Sequence, residues 1–421
     1  MNIDLNSPYN LATSLRNNNA RLVTNIAQGV FGHLIPEIDN YLRFRICEKL
    51  DSSHPCVFLG EEDSLTSEIL NFYDDFFEAV SLNVSHKKFG DIVANCHPDL
   101  TLDVGISSFK IAPPARGYAF TEIVGHTFAF RTGYLNGSYW DHIQYYKRMR
   151  GTANLHPMRL ETPCPSELRD FVDRNGKPIV IIQQRQIVSA ANKTIAADEL
   201  YRPALEYINE KGYTLVFVGR EVYPESWREL GVIDYANSHF ASFQNDSHLF
   251  RLASYALLAA SGTNWLAQVQ DTPFLQINNS QGANLPFSGK SITLPSKWMN
   301  EHDGKMCSAL EHIRNNLYYG AGSPPGLYAQ SVTAQDILEG VQELEILIDK
   351  DTPQTPLQQQ WTNVGKNLWE SEAFWQRLPE GPWIGGNEEL LDGQNEECLL
   401  TIGQGRVAQK YLEQNQEALF N

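Results

Sequence analysis

The chain has 421 residues, of which 42% are hydrophobic and 20% charged, and it carries a formal net charge of -17 at pH 7. This is ordinary globular composition, so a disordered chain and a coiled coil are excluded, while the length predicts two domains rather than one core. The negative charge excludes a protein built to grip a nucleic-acid backbone, although a few arginines and helix N-termini still suffice to hold a small anion.

The N-terminal segment, MNIDLNSPYNLATSLRNNNARL, lacks the basic start and apolar core of a secretory signal. Arg21–Ile26 then predicts a strand, followed by the loop AQGVFGHL and a helix over Leu34–Leu50 that opens near Pro36 and Glu37. Pro55–Gly60 (PCVFLG) predicts a second strand and Ser64–Ala79 a second helix, a βαβ alternation that implies parallel pairing. The alternation is not readable after Asp91, and the aromatic stretch His126–Arg150 is helical at most around Tyr139–Met149.

A second series is clearer. After the turn at Asp173–Lys177, Pro178–Gln183 (PIVIIQ) is a continuous apolar run, the signature of a strand buried on both faces. Glu199–Lys211 predicts a helix with Leu200, Ala204, Leu205 and Ile208 on one face, stopped by Gly212. Strands follow at Tyr213–Val218 and Val232–Tyr235, then a helix from about Ser247 to Tyr255, the apolar run Ala256–Ala260, a helix opening near Thr263, and a strand at Phe274–Ile277. Five short strands with helices between them form a Rossmann-like half. Beyond Ser280 come loops rich in Gly, Pro and Asn, an amphipathic helix at Ala334–Ile348, a Trp-rich acidic tail and a last helix over Gly405–Leu419. The expected division is 1–165, 166–350 and a helical tail 351–421 with the option of returning to the first domain.

The six cysteines form no C-x-x-C pair, as in a reducing compartment, and no run of about 18 apolar residues occurs that would span a membrane. A cytoplasmic location is expected, with peripheral attachment to the inner membrane left open.

Candidate functional residues sit mainly where strands end. Arg185 closes the first strand of the second half, and ligands of open parallel sheets bind outside the carboxyl ends of strands. An Arg fork engages phosphate or carboxylate bidentately, and the competing reading is a surface arginine. Ser261-Gly262-Thr263-Asn264 forms a strand-to-helix turn whose small residues let backbone N–H groups approach an anion, with Thr263 also available as an N-cap. Gly219-Arg220-Glu221 ends another strand, where Glu221 is placed to accept from a ribose. Asp246 reads as the N-cap of the next helix more readily than as a catalytic group. In the first half His33 follows a strand, flanked by Gly29 and Gly32, and histidine titrates nearest working pH; a structural histidine is the competing reading, and Glu37 and Asp39 are weaker alternatives as a base. No Walker loop, G-x-G-x-x-G, G-x-S-x-G or H-E-x-x-H motif is present. Asp349-Lys350-Asp351 ends a helix rather than a strand and is read as chance, so neither a metal nor a cofactor is expected.

GVFGHLIPEIDNYLR, together with the Arg185 strand, DELYRPALEYINEKGYTLVFVGRE, VIDYANS and NDSHLFRLASYALLAASGTNWLAQVQDTPFLQINN, resembles a group of bacterial glycosyltransferases of the GT-B type over roughly residues 20–50 and 175–280. The resemblance implies an α/β fold of two Rossmann-like domains with parallel sheets facing across a cleft, the acceptor on the first and a nucleotide sugar, a co-substrate, on the second. It makes Arg185 a diphosphate contact, Ser261, Gly262 and Thr263 the phosphate-binding turn, and His33 the base. The chain departs from the group at QQRQIVSAANKT after the arginine and at Asn264-Trp265. The expected activity is a metal-independent, inverting transfer of sugar to a hydroxyl in glycan or secondary-product assembly, with no nucleic-acid partner. Two rivals stay open: a nucleotide-sugar epimerase or pyruvyl-type transferase on the same fold, and a non-catalytic scaffold.

Overall fold

The computed structural model describes residues 164–172, 176–185, 197–279, 285–286, 289–313, 325–370 and 405–421; before residue 164 it describes seven short strands and a few isolated residues. The chain divides into two compact units, Met1–Met158 with Pro379–Gly393, and Arg159–Leu378 with Gln394–Asn421.

In the first unit β1 (Arg21–Thr24), β2 (Cys56–Gly60) and β3 (Ala79–Asn83) pair in parallel, as the alternation predicts. The predicted second helix ran too far, since Ala79 already begins β3. A wholly parallel sheet is not what forms here. After the hairpin β4 (Thr101–Val104) and β5 (Ser107–Lys110), β6 (Thr121–Val124) joins the sheet antiparallel to β1 and β7 (Thr127–Phe130) antiparallel to β6, in the order β3-β2-β1-β6-β7. A two-residue link between β6 and β7 is too short for a parallel crossover, so antiparallel pairing is the only option.

The second unit is built on a seven-stranded, wholly parallel sheet. Helix α1 (Ser166–Val172) precedes β8 (Ile179–Gln183). Then come α2 (Ala197–Glu210), β9 (Thr214–Phe217), a 3₁₀ turn at Glu225–Leu230, β10 (Ile233–Asp234), α3 (Phe243–Leu252), β11 (Ala253–Ala259), α4 (Thr263–Val269) and β12 (Phe274–Asn279). Two further strands, β13 (Ser291–Pro295) and, after the small hairpin β14 (Lys297–Asn300) and β15 (Leu327–Gln330), β16 (Arg406–Val407), complete it. The strand order is β10-β9-β8-β11-β12-β13-β16, so succession along the chain reverses direction between β8 and β11. Reversal at that place is the topological switch point of a doubly wound sheet. The α/β class expected from the sequence is the class observed.

Every residue of β8 and β13 is buried, which explains why β8 reads as an unbroken apolar run. Each fully buried Val, Ile or Leu contributes about 1.5–3 kcal/mol. Helix α5 (Ala334–Lys350) begins with a capping box in which the Thr333 hydroxyl accepts from the Asp336 N–H and the Asp336 carboxylate accepts from the Thr333 N–H. It lies close on the sheet at Gly340, where a Cβ would stand 3.0 Å from Leu275 Cδ1. Its Glu345 accepts from Tyr207 (2.9 Å) on α2, from Lys211 (2.5 Å) just after it and from Tyr255 (3.0 Å) on β11, tying helix to helix and helix to sheet. This partnership with Glu345 raises the Lys211 ammonium above the usual lysine range.

The described part of residues 351–421 belongs to this unit. Helix α6 (Pro356–Glu370) buries Trp361, β16 pairs with β13, and α7 (Gln409–Gln414) with α8 (Gln416–Phe420) buries Tyr411, Leu412 and Leu419. Gln358 of α6 donates to the Val407 carbonyl at 2.8 Å, fixing the helix to the edge strand. No helix among the described residues is long and apolar enough to cross a membrane.

Candidate functional site

Because all strands of the second sheet are parallel, the carboxyl ends of β9, β8 and β11 lie on one edge, on either side of the switch point. Strand β8 finishes in the buried Gln183, followed by the buried Gln184 and the exposed Arg185. A buried amide seeks partners, and each glutamine bridges to a neighbouring strand end, the Gln184 Oε1 alone being left unpartnered. The Gln183 Nε2 donates to the Gln184 carbonyl at 2.7 Å, and its Oε1 accepts from the Ser261 hydroxyl at 3.1 Å in the turn after β11. The Gln184 Nε2 donates to the Val222 carbonyl at 3.0 Å in the loop after β9. Gly219, at φ +105°, closes the third side: a Cβ there would stand 3.1 Å from Gln183 Cγ. Here glycine is required both by backbone conformation and by space.

Arg185 crosses the switch point. Its Nη1 donates to the Ala260 carbonyl at 3.3 Å, 75 residues along the chain, and its other donors make no bond among the described residues. In the turn that follows, the N–H groups of Asn264 and Trp265 are engaged by the carbonyls of Ser261 (3.2 Å) and Gly262 (3.1 Å). Those of Gly262 and Thr263 donate to nothing among the described residues. Arg185 is thus tied to Ala260, two and three residues ahead of the Gly262 and Thr263 amides, and a guanidinium and free amides are groups suited to an anion.

Arg185, Gly219, and Ser261, Gly262 and Thr263 follow the carboxyl ends of β8, β9 and β11 respectively. Arg220 and Glu221 extend the same edge beyond β9, Arg220 exposed and Glu221 half-buried, neither with an ion pair among the described residues. Two capping assignments are corrected. The N-cap of α3 is Ser242, whose side chain accepts from the Asn245 N–H, so Asp246 falls within the first turn of a helix that packs on β8 and β11. Thr263 does not cap α4, because its Oγ1 lies 2.7 Å from the Ser261 Oγ instead. Asn264 is buried, with its Oδ1 unpartnered. His33, Gly29 and Gly32 lie outside the described residues. Gln183 and Gln184 were missed as site residues; the available signal was a pair of amides finishing an otherwise apolar strand.

No known family model matches the chain, and no characterised protein matches it in sequence. Among solved structures it is similar to a family 9 glycosyl transferase from Veillonella parvula, at 10% identity and a TM-score of 0.43, covering 77% of this chain and 96% of that one. It is also similar to ADP-heptose lps heptosyltransferase II of E. coli, at 10% identity and a TM-score of 0.40 over 79% and 99% of the two chains. A third is the dodecameric iron-containing glycosyltransferase TibC from enterotoxigenic E. coli, at 15% identity and a TM-score of 0.32 over 62% and 57%. Identities this low carry no residue-level correspondence to this chain.

Among the described residues no group of three His, Cys, Asp or Glu side chains comes together as a metal site. The histidines whose titration the fold perturbs stand on other elements. Burial, with Arg251 nearby, lowers His248 on α3, and complete burial pushes His312 down to about 3.

Proposed function

We propose that the chain is a glycosyltransferase of the GT-B type, which holds a nucleotide sugar on its second unit and passes the sugar to a hydroxyl of a glycan or secondary-product acceptor. One observation carries the reading: Arg185 reaches from the end of β8 to the Ala260 carbonyl at the end of β11, across the reversal of strand order. Doubly wound sheets bind nucleotides at this position.

The diphosphate of a sugar nucleotide gains charge as its bond to the sugar breaks. In this reading Arg185 and the two amides neutralise it, a fixed electrostatic arrangement that needs no reorganisation during the step and no metal. Glu221, at the end of the adjoining strand, accepts from the ribose hydroxyls. On sequence grounds His33 is the candidate for the base that takes the acceptor's proton. A single base acting on the acceptor favours inversion at the sugar carbon.

The test is donor turnover. The purified protein is incubated with UDP-, GDP-, ADP- and dTDP-sugars and a bacterial glycan extract, and both released nucleoside diphosphate and the fate of the sugar are followed. Acceptor-dependent release of one diphosphate, with the sugar recovered on the acceptor, is the predicted result. A sugar altered in configuration but still attached to the nucleotide, with no acceptor required, would assign an epimerase instead.

A further inference from the structure

Counting protons at the switch point gives the hydroxyl of Thr263 a direction. The Gln183 amide is fixed by its 2.7 Å bond to the Gln184 carbonyl: a backbone carbonyl only accepts, so the nitrogen of the amide faces it and the oxygen faces Ser261. An amide oxygen also only accepts, so the one hydrogen of the Ser261 hydroxyl is committed to Gln183. Ser261 and Thr263 stand 2.7 Å apart, and with the Ser261 hydrogen already placed Thr263 must be the donor in that contact. Thr263 is left with lone pairs alone. Gln183 is buried, and turning its amide over would set its oxygen against the Gln184 carbonyl oxygen, so the 2.7 Å bond holds the orientation.

We infer that Gln183 is a positioning residue which, through Ser261, makes the Thr263 side chain an acceptor and so matches it to a ligand hydroxyl rather than to a phosphate oxygen. An ionised phosphate oxygen has no hydrogen to offer Thr263, so phosphate contact falls to Arg185 and the N–H groups of Gly262 and Thr263. The hydroxyl partner belongs either to the ribose or to the transferred sugar. That it belongs to a sugar nucleotide rests on the function proposed above; the direction of the chain of hydroxyls does not.

The direction is read by neutron diffraction from a deuterated crystal of the full chain. The expected map places the Ser261 deuteron toward Gln183 Oε1 and the Thr263 deuteron toward Ser261 Oγ; a Ser261 deuteron directed at Thr263 overturns the inference. The consequence for binding is read by calorimetry with inorganic pyrophosphate, UDP, ADP and GDP, their 2′- and 3′-deoxy forms, and UDP-glucose, ADP-glucose and GDP-mannose. Thr263→Val is expected to leave pyrophosphate affinity within about twofold and to weaken the preferred nucleotide or nucleotide sugar about tenfold, the size of one lost hydrogen bond. Thr263→Ser restores it, and Gln183→Leu, which frees the Ser261 hydrogen, reproduces the selective loss. A deoxy nucleotide that binds weakly to the native protein, and no more weakly to Thr263→Val, assigns the hydroxyl to the ribose; loss confined to the sugar-bearing forms assigns it to the transferred sugar. Equal loss for pyrophosphate and nucleotide, or none for either, overturns the inference. If no nucleotide binds while the deuterons lie as expected, the transferase reading fails and the orientation stands.

Discussion

The Ser261 hydroxyl donates to the Gln183 side-chain carbonyl across 3.1 Å and so joins the turn after β11 to the end of β8, where the strand order reverses. Hydrogen bonds between strands hold a parallel sheet together along its length, but its edge loops need ties of their own. Gln183 and Gln184 supply them, one toward β11 and one toward the loop after β9, and Arg185 is presented from between the two.

Gly219→Ala puts a Cβ 3.1 Å from Gln183 Cγ at φ +105°. Strain of this kind costs about 1–3 kcal/mol, and each kcal/mol lowers Tm by about 2–4 °C in a unit of this size. Thermal unfolding should show that loss, and ligand affinity should fall with it because Gln183 is displaced. A variant as stable as the native protein would mean that the loop after β9 relaxes freely.

His312 is fully buried, neither ring nitrogen has a hydrogen-bond partner, and burial pushes it down to about 3. Between that value and the unfolded value near 6.5 the unfolded chain binds the extra proton. Its contribution to stability is therefore fully present above about pH 6.5 and falls as pH drops toward 3, by about 1.4 kcal/mol per unit. His312→Leu should be at least as stable at pH 7 and should flatten the decline in Tm between pH 6.5 and 4.5. Glu343, raised chiefly by burial, acts with the opposite sign, but it is common to both proteins and cancels in the comparison. Parallel declines in the two proteins would refute the assignment.

What the sequence disclosed follows from physical range. PIVIIQ and YTLVFV were legible as strands because a strand buried on both faces must be apolar at every position. Ser291–Pro295 is just as buried but mixes Ser and Thr into a stretch rich in Gly, Pro and Asn, and Arg406–Val407 is two residues long, so five strands were read where seven form. The start of α3 was placed a turn late because Asp246 looks like a cap, while Ser242 has the role, and the start of β11 shifted with it. Arg185 was legible from its place at a strand end. Its bond to Ala260 was not, because one sequence does not say that strands 75 residues apart are neighbours.

Removal of residues 405–421 takes away β16 and buried side chains at Val407, Tyr411, Leu412 and Leu419. At about 1.5–3 kcal/mol for each large apolar residue, the loss approaches the whole stability of a domain, about 5–15 kcal/mol. The truncated chain should fail to show a cooperative unfolding transition for the second unit. A transition within a few degrees of the native one would make those residues dispensable.

Diphosphate neutralisation by Arg185 and backbone amides predicts a reaction indifferent to chelation. Turnover of the preferred donor should be unchanged after EDTA treatment and exhaustive dialysis. A loss restored by adding back one divalent ion would place a metal in the step.

The most direct measurement is the affinity of the native protein and of Arg185→Ala for UDP, ADP, GDP and dTDP by calorimetry, with Tm as a control for folding. The account predicts saturable binding of one diphosphate without added metal, weakened about 10- to 100-fold in Arg185→Ala at unchanged Tm, as expected for one charge-assisted contact. No binding of any diphosphate, or equal binding by the two proteins, would contradict the placement of a nucleotide at the junction of β8 and β11.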